Sequence, residues 1–351
     1  MAVTSFETLP ASSITTTKTL LHESIPLTGT IISGTYGVFP NENNIKNYTH
    51  GQFQSVYDYP FLSSSANHIF DITMGYDESS TLSASTSEQN AKKINMYNQF
   101  SQVLLGYTGS TNAVRKFELD LTLDEVGTMK ESYFLNFSRL LTKDQIKKGT
   151  FSITVGTGSF LDPFGAGGTP RILSDASASD TGGTKNTFGG DYGLLFTQDD
   201  NIVRGLVFYQ AGIVVLSTSS FDGVTDYQSG TLPTVGAKTI TNMFTGSTIT
   251  ASCDALRHRI QNISFNNTTE INSTIYFCRV PHNKYNHSAN PTYLSASTIR
   301  VKSVNTDTPV AYITTIGLYS TDNQLMAMAK LSEPLKKDPT NELTLRVRLD
   351  Y

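Results

Sequence analysis

The sequence predicts a mainly β protein: an α+β fold with two or three short-to-medium helices, antiparallel sheets resembling a β-sandwich, and long Gly/Ser/Thr-rich loops. Charged residues make up only 16% of the chain, which has 17 Tyr and 19 Phe; this composition favours strands and loops over helices. The final decapeptide, 342–351, alternates apolar and polar side chains with a strict period of two, as a strand with one buried face requires. Residues 192–217 form three apolar segments separated by short turns, which predicts an antiparallel meander.

The chain is predicted to consist of a short arm and a larger body. Residues 1–35 are Ser/Thr-rich, and Pro26 and Gly29 interrupt their short apolar pieces, which predicts an extended arm or edge strand. Residues 156–190 contain nine glycines, and so long a loop is expected to project or to lie on a partner. The body is interpreted either as one unit or as two subdomains joined by this loop, with the boundaries 36–351 for the body and 36–155 and 191–351 for the subdomains.

Periodicity assigns the elements of the first half. His68–Tyr76 is predicted to be a strand. Apolar residues recur at three- and four-residue steps between Ser83 and Gly106, which predicts the clearest helix of the chain, with Thr86 or Ser87 as its N-cap. Alternation predicts another strand over Val114–Leu123.

The next segments are less uniform. The apolar stretch 133–141 fits either a strand or a helix. Thr142–Gln145 has the spacing of a capping box, and Gly149 is placed to end one short helix. A further helix is predicted over Ala251–Phe265, followed by a strand at Ile271–Val280 and a C-terminal hairpin.

Four arginines are candidate contacts between subunits. Two lie on the polar face of the last strand, where acidic side chains give a mixed-charge surface suited to subunit contact. Two others form a small basic spot on the predicted helix 251–265, an arrangement that is usually a solvated face. The candidates are Arg346, Arg348, Arg257 and Arg259.

Charge and apolar content exclude several classes of function. The net charge is −4, which offers no electrostatic reason to bind nucleic acid or an anionic membrane. No apolar run approaches the roughly 18 residues of a membrane-spanning helix, and the first residues lack the features of a signal peptide. The two cysteines, Cys253 and Cys278, are too few for a disulfide framework and are interpreted as reduced thiols in a protein assembled in the cytosol.

No catalytic residue, metal site or cofactor is predicted. Cys278, His282 and His287 would supply three of the four donors of a zinc site, but exposed loop residues are the favoured interpretation. Asp199 and Asp200 are adjacent carboxylates in a hairpin turn, where they are typical turn formers.

Two other patterns have a structural and a functional interpretation. The glycine-rich stretches lack the Gly-Lys-Ser/Thr ending of a phosphate-binding loop, so mobile loops are favoured. The aromatic residues of 53–76 could stack on bases or sugars, but packing in the core is favoured. A polysaccharide depolymerase would need two facing carboxylates, and the sequence does not locate such a pair.

Seven segments carry a resemblance to a known family: His68–Tyr76, Gln89–Tyr97, Phe134–Leu141, Lys143–Gly149, Ile313–Tyr319, Asp322–Leu325 and Ala329–Lys330. They resemble a virion structural protein of a contractile-tailed bacteriophage, particularly of the myovirus type infecting marine bacteria and cyanobacteria. The C-terminal segment is similar to a hairpin that recurs in phage tail and fibre-attachment proteins.

The resemblance implies a non-enzymatic structural component of a tailed-phage virion, at the tail, baseplate or neck. It implies assembly in the host bacterial cytoplasm as a homo-oligomer that contacts other phage structural proteins. Neither nucleic acid nor a membrane is predicted as a partner, for the reasons of charge and apolar content given above. The alternative is a receptor- or glycan-binding module of a tail fibre or spike. Exposed aromatic residues grouped on a loop-bearing face would favour that alternative.

Overall fold

The computed structural model describes residues 6–33, 42–83, 86–108, 113–165, 168–227, 238–288, 292–296, 298–300, 304 and 306–351. The fold is mainly β with antiparallel sheets and a minority of helix, as predicted. The strands are β1 Ile14–Thr28, β2 Ile45–Asn47, β3 Gln54–Tyr57, β4 His68–Tyr76, β5 Phe117–Glu118, β6 Thr128–Met129, β7 Glu131–Phe137, β8 Gln145–Ile146, β9 Ser152–Val155, β10 Arg171–Ser174, β11 Thr184–Thr187, β12 Gly190–Thr197, β13 Val203–Phe208, β14 Ile213–Ser217, β15 Ile260–Val280, β16 Leu294–Ser295, β17 Thr298–Ile299, β18 Ala311–Tyr319, β19 Leu325–Lys337 and β20 Leu343–Asp350. The α-helices are α1 Gly29–Ser33, α2 Glu88–Leu104, α3 Arg139–Thr142, α4 Ile240–Gly246 and α5 Ile249–His258.

The chain divides into two compact units. The terminal unit combines the described part of 1–20 with 270–351, and the central unit is 21–269. In the central unit the sheet runs in the order β15, β9, β10, β12, β13, β14, β7, β4, β3, β2. In the terminal unit β15 pairs with β20, and β18 pairs with β19.

Each face of the central sheet carries a hydrophobic core. On one face Ile72 and Leu135 belong to a core that includes Phe244 of α4 and Leu256 of α5. Phe134, the neighbour of Leu135 on β7, points to the other face and joins a second core under α2. A strand buried on both faces has a continuous apolar sequence. The stretch 133–141 fits two interpretations because it covers most of β7 and then most of the short helix α3.

A glycine lets helix α2 lie directly on the sheet. A Cβ at Gly75 of β4 would stand 2.5 Å from the carbonyl oxygen of Lys93 and 2.7 Å from the backbone nitrogen of Tyr97. Backbone atoms cannot move aside as a flexible side chain can, so no larger residue fits here. The helix itself begins as predicted, with the Ser87 side chain accepting a hydrogen bond from the backbone nitrogen of Asn90.

Two predicted helices are wrong in extent or place. Helix α5 ends at His258, because from Ile260 onward the chain pairs with β9 in the sheet. The helix predicted after the capping box at 142–145 does not form. Helix α3 ends at Thr142, and Gln145 and Ile146 pair instead with β15.

The glycine-rich stretch 156–190, described except for residues 166 and 167, contributes strands to the sheet and is not simply a projecting loop. It contains β10, which lies between β9 and β12 in the sheet, and β11, which pairs with β12. The meander after it forms as predicted, as β12, β13 and β14. The predicted strand at Val114–Leu123 reduces to β5, paired with β6. Of the arm 1–35, residues 6–33 are described, and β1 is its main element.

Candidate functional site

Arg346 and Arg348 lie on the exposed face of β20, as the alternation predicts. The Arg348 Nε donates to Oδ1 of Asp350 at 2.8 Å, and its Nη2 donates to the Ser273 hydroxyl at 3.2 Å. The Arg346 backbone pairs with Phe277 of β15, and its guanidinium group forms no hydrogen bond or ion pair with any other residue that the structure describes. Both guanidinium groups are therefore accessible to a neighbouring chain.

Arg257 was expected on a solvated face, but its side chain is fully buried. Its Nη2 lies 2.5 Å from Oδ1 of Asp254, and its Nε donates to the side chain of Gln54 at 3.2 Å. Oε1 of Glu42, which is also buried, is 3.5 Å from Nη1, and burial raises the pKa of this carboxyl group. Arg257 therefore balances buried carboxylates and cannot contact another subunit.

Arg259 is also fully buried, which corrects the second half of the predicted basic spot. Its Nη1 donates to the carbonyl oxygens of Gly156 at 3.1 Å and Gly158 at 2.8 Å. The Nε donates to the carbonyl oxygen of Tyr227 at 3.1 Å, and Nη2 donates to that of Asp226. The guanidinium group thus fastens two loops of the central unit together.

Two further buried charges hold elements of the central unit in place. The Asp175 carboxylate accepts hydrogen bonds from the backbone nitrogens of Gly149 and Phe151, both at 2.8 Å, and from the Tyr209 hydroxyl at 3.1 Å. Lys93 of α2 donates to the carbonyl oxygens of Phe244 and Ser247 at the end of α4. Burial lowers the pKa of Lys93 to about 8 and raises that of Asp175.

The terminal unit presents a hairpin with apolar side chains on both faces. Strands β18 and β19 form a two-stranded sheet, with no third strand among the described residues. Ile316 pairs with Ala329, and the next pair, Gly317 with Met328, points to the opposite face. Met326 is 71% exposed and Met328 is 58% exposed. We call strands β18 and β19 the C-terminal hairpin.

Apolar and aromatic side chains line both sides of this hairpin. One face is only half-buried and the other is exposed. The half-buried side chains are Ile313, Ile316, Leu318, Ala327, Ala329 and Leu331. The exposed large ones are Tyr312, Tyr319, Leu325, Met326 and Met328.

The N-terminal segment of the terminal unit is similarly exposed. The ring centroid of Phe6 lies 4.8 Å from that of Tyr319, next to the hairpin turn. Lys18 forms an ion pair with Glu270 at 2.6 Å. Almost every residue of β1 is exposed, including the apolar Leu20. β1 is the edge strand of its sheet and pairs with β15, so its outer backbone edge and its exposed side chains are accessible to a partner.

A second surface, in the central unit, gathers rings and polar groups on β2, β3 and β4. We call the side chains of Lys46, Tyr48, Ser55, Tyr57, His68 and Asp71 the β2–β4 surface. Lys46 pairs with Ser55, and Ser55 pairs with Asp71, across three adjacent strands. Lys46 Nζ lies 4.8 Å from the Tyr48 ring centroid, and the Tyr48 and Ser55 hydroxyls are 3.2 Å apart.

Asp71 is the polar centre of this surface. Its Oδ1 accepts hydrogen bonds from the Ser55 hydroxyl at 2.5 Å and from Nε2 of His68 at 2.8 Å. Serine and histidine thus share one carboxylate oxygen, whereas a nucleophilic serine needs the histidine between itself and the carboxylate. The arrangement fixes side chains and does not activate Ser55. Oδ2 of Asp71 has no hydrogen-bond partner among the residues described.

Rings flank the polar centre on both sides. The Tyr57 ring centroid lies 5.5 Å from that of His68 and 6.4 Å from that of Phe61. On the other side, Tyr48 lies 4.7 Å from Phe53, ring centroid to ring centroid. These rings are half-exposed, so the preference for core packing is wrong for 53–61, while Phe70 and Tyr76 are buried as expected. The signal missed in the sequence was Tyr-Asp-Tyr-Pro-Phe, rings placed among turn-forming residues.

Two features considered from the sequence were a zinc site and a membrane-spanning helix. The residues that the structure describes contain no group of three or more His, Cys, Asp or Glu side chains placed to hold a metal ion. No helix among the described ranges combines the length and apolar character needed to cross a membrane.

Comparison of the chain with protein-family models, with curated proteins and with solved structures returned no match.

Proposed function

We propose that the chain is a non-enzymatic structural subunit of a tailed-phage virion, at the tail, baseplate or neck, that acts by packing against copies of itself and other structural proteins. The resemblance of several segments to phage structural proteins is the reason for placing the subunit in a virion. The observation that carries the proposal is the C-terminal hairpin, whose exposed face carries the large apolar side chains of Met326 and Met328 in addition to the half-buried apolar face beneath it.

An isolated two-stranded hairpin is at best marginally stable in water. A strand with one wet face alternates polar and apolar residues, whereas one covered on both faces is apolar throughout. Near the turn between β18 and β19 both members of neighbouring pairs are apolar or small, as in Ile316–Ala329 followed by Gly317–Met328, whereas the pair Thr315–Lys330 beyond them is polar. The composition of the part near the turn therefore suits a hairpin that is covered on its second face.

A second copy of this chain is the occupant that we propose for the exposed face. Met326 and Met328 form an uncharged patch beside Lys330, and interfaces between copies of one chain are enriched in Met and Tyr at their centre. The outer edge of β18 has no strand beside it among the described residues. Edge strands of this kind extend across subunits in symmetric assemblies.

The test is the oligomer size of the full chain by light scattering coupled to gel filtration. Wild type is expected to be oligomeric, and the double variant Met326→Asp/Met328→Asp is expected to be monomeric. Two carboxylates buried without partners would weaken the contact by roughly a hundredfold or more. The matched control is Val126→Asp, at an apolar residue of the central unit that is also exposed.

The control is expected to keep the wild-type size, and circular dichroism should show the same fold in all three proteins. A wild-type chain that stays monomeric at high concentration would overturn the proposal. So would a double variant that assembles as wild type does.

A further inference from the structure

We infer that the β2–β4 surface, with the loop 58–67 beside it, is a binding site for a neutral saccharide chain. This inference does not depend on the assembly proposal, because its residues lie in the central unit and the C-terminal hairpin lies in the terminal unit. It gives residues and a ligand class to the glycan-binding function that the sequence leaves as an alternative.

The first argument is the chemistry of the surface. Sugar rings present apolar C–H faces and a rim of hydroxyl groups, so a site for them needs aromatic faces beside fixed hydrogen-bonding groups. Tyr57 and Phe61 supply rings on one side of Asp71, and Tyr48 and Phe53 supply rings on the other. Between them, the free oxygen of Asp71 is an acceptor for a hydroxyl group.

The second argument is rigidity. The loop 58–67 is closed at its base by Asn67, which donates to Asp58 from its backbone nitrogen at 2.7 Å and from its side chain at 2.8 Å. The backbone nitrogen of Phe61 also donates to the carbonyl oxygen of Asn43 at 3.1 Å. Rings held in place before binding lose little conformational entropy when a ligand arrives.

The third argument is exposure. The closed loop presents Tyr59 and Leu62, which is 88% exposed, beside the half-exposed Tyr57 and Phe61. Grouped apolar side chains on a surface mark an interaction site more often than scattered ones do.

Charge selects among the ligands that rings can stack on. Asp71 lies at the centre of the surface, where its carboxylate would repel a phosphate or a uronate. Lys46 is the cation of this surface, and it already lies over the Tyr48 ring. A neutral polyhydroxylated ligand meets both the acceptor and the rings without such repulsion, whereas a nucleic acid backbone does not.

The experiment is binding of the labelled full chain to an array of neutral bacterial surface polysaccharides and oligosaccharides, with acidic glycans and single-stranded oligonucleotides as comparison spots. Wild type should bind neutral glycans. Tyr57→Ala and Asp71→Asn should each lose about tenfold or more in affinity, while Tyr57→Phe, which keeps the ring, should retain most of it. Phe188→Ala, at an exposed ring outside this surface, is the matched control and should bind as wild type does.

Oligomer size and the unfolding midpoint are measured on the same samples, so that a folding or assembly defect is recognised separately from a lost site. Absence of binding to every neutral glycan would overturn the inference. The same holds for binding confined to oligonucleotides or acidic glycans, and for binding that survives both Tyr57→Ala and Asp71→Asn.

Discussion

Replacing Arg259 by alanine removes a fully buried guanidinium that donates to four carbonyl oxygens in two loops of the central unit. Each buried acceptor left without its donor costs about 1 kcal/mol when water partly replaces it, and about 3 kcal/mol when nothing does. Even the lower figure gives a loss of about 4 kcal/mol, near the upper end for single substitutions. In a unit of this size the loss corresponds to a Tm lower by roughly 10 °C.

The measurement is thermal and urea unfolding followed by circular dichroism and by tyrosine fluorescence, since the chain has no Trp. Arg259→Lys keeps the charge, but a single ammonium group cannot reach carbonyl oxygens spread around a guanidinium plane. It should lose about half as much stability. Arg346→Ala is the control, because its side chain is exposed, and should change stability by less than about 0.5 kcal/mol. A Tm within about 2 °C of wild type for Arg259→Ala, or equal losses for both alanine variants, would refute the assignment of Arg259 to the interior.

Three further outcomes test the packing of the central unit. Asp175→Ala should destabilise by about 3 kcal/mol in urea unfolding, because it leaves three buried donors unpaired; the exposed Asp180→Ala is its control, and similar midpoints would contradict the reasoning. Gly75→Ala should lower the Tm by several degrees or prevent folding, since its Cβ would meet the backbone of α2; a wild-type Tm would show that α2 is not in contact. The pKa of Lys93 is about 8 in the folded protein and has its ordinary value of 10.5 in the unfolded chain. Between pH 7.5 and 9.5 unfolding therefore takes up protons, and the free energy of unfolding should rise with pH by about 2 kcal/mol. A pH dependence that persists in Lys93→Met would belong to another group.

The elements predicted correctly are those whose sequence pattern is complete within one short segment. Helix α2 combines an apolar period with a capping Ser87, and both survive in the structure. The alternation of 342–351 became β20, whose apolar side chains are the less exposed ones. In these segments periodicity alone decides which face is buried.

Other elements depend on partners distant in the sequence. Ile260, Ile263 and Phe265 suit a helix face as well as a strand, and pairing of this segment with β9 decides for the strand. Arg257 resembled a surface residue because Glu42, one of the buried carboxylates beside it, is remote in the chain. No local pattern could have shown that either charge is buried.

The candidate surfaces were predicted unevenly for the same reason. Arg346 and Arg348 are exposed because strand alternation is local. The half-exposure of the rings of 53–61 depends on which parts of the sheet other elements cover, which is a property of the whole central unit.

Hydrogen exchange at the outer-edge amides of β18 tests most directly whether a neighbouring chain covers the C-terminal hairpin. These amides have no strand beside them among the described residues, so in a lone chain they exchange quickly. Measured by mass spectrometry on peptides from 311–319, wild type at assembly concentration should show protection that the Met326→Asp/Met328→Asp variant lacks. Rapid exchange of these amides in both proteins would contradict a hairpin packed against another subunit.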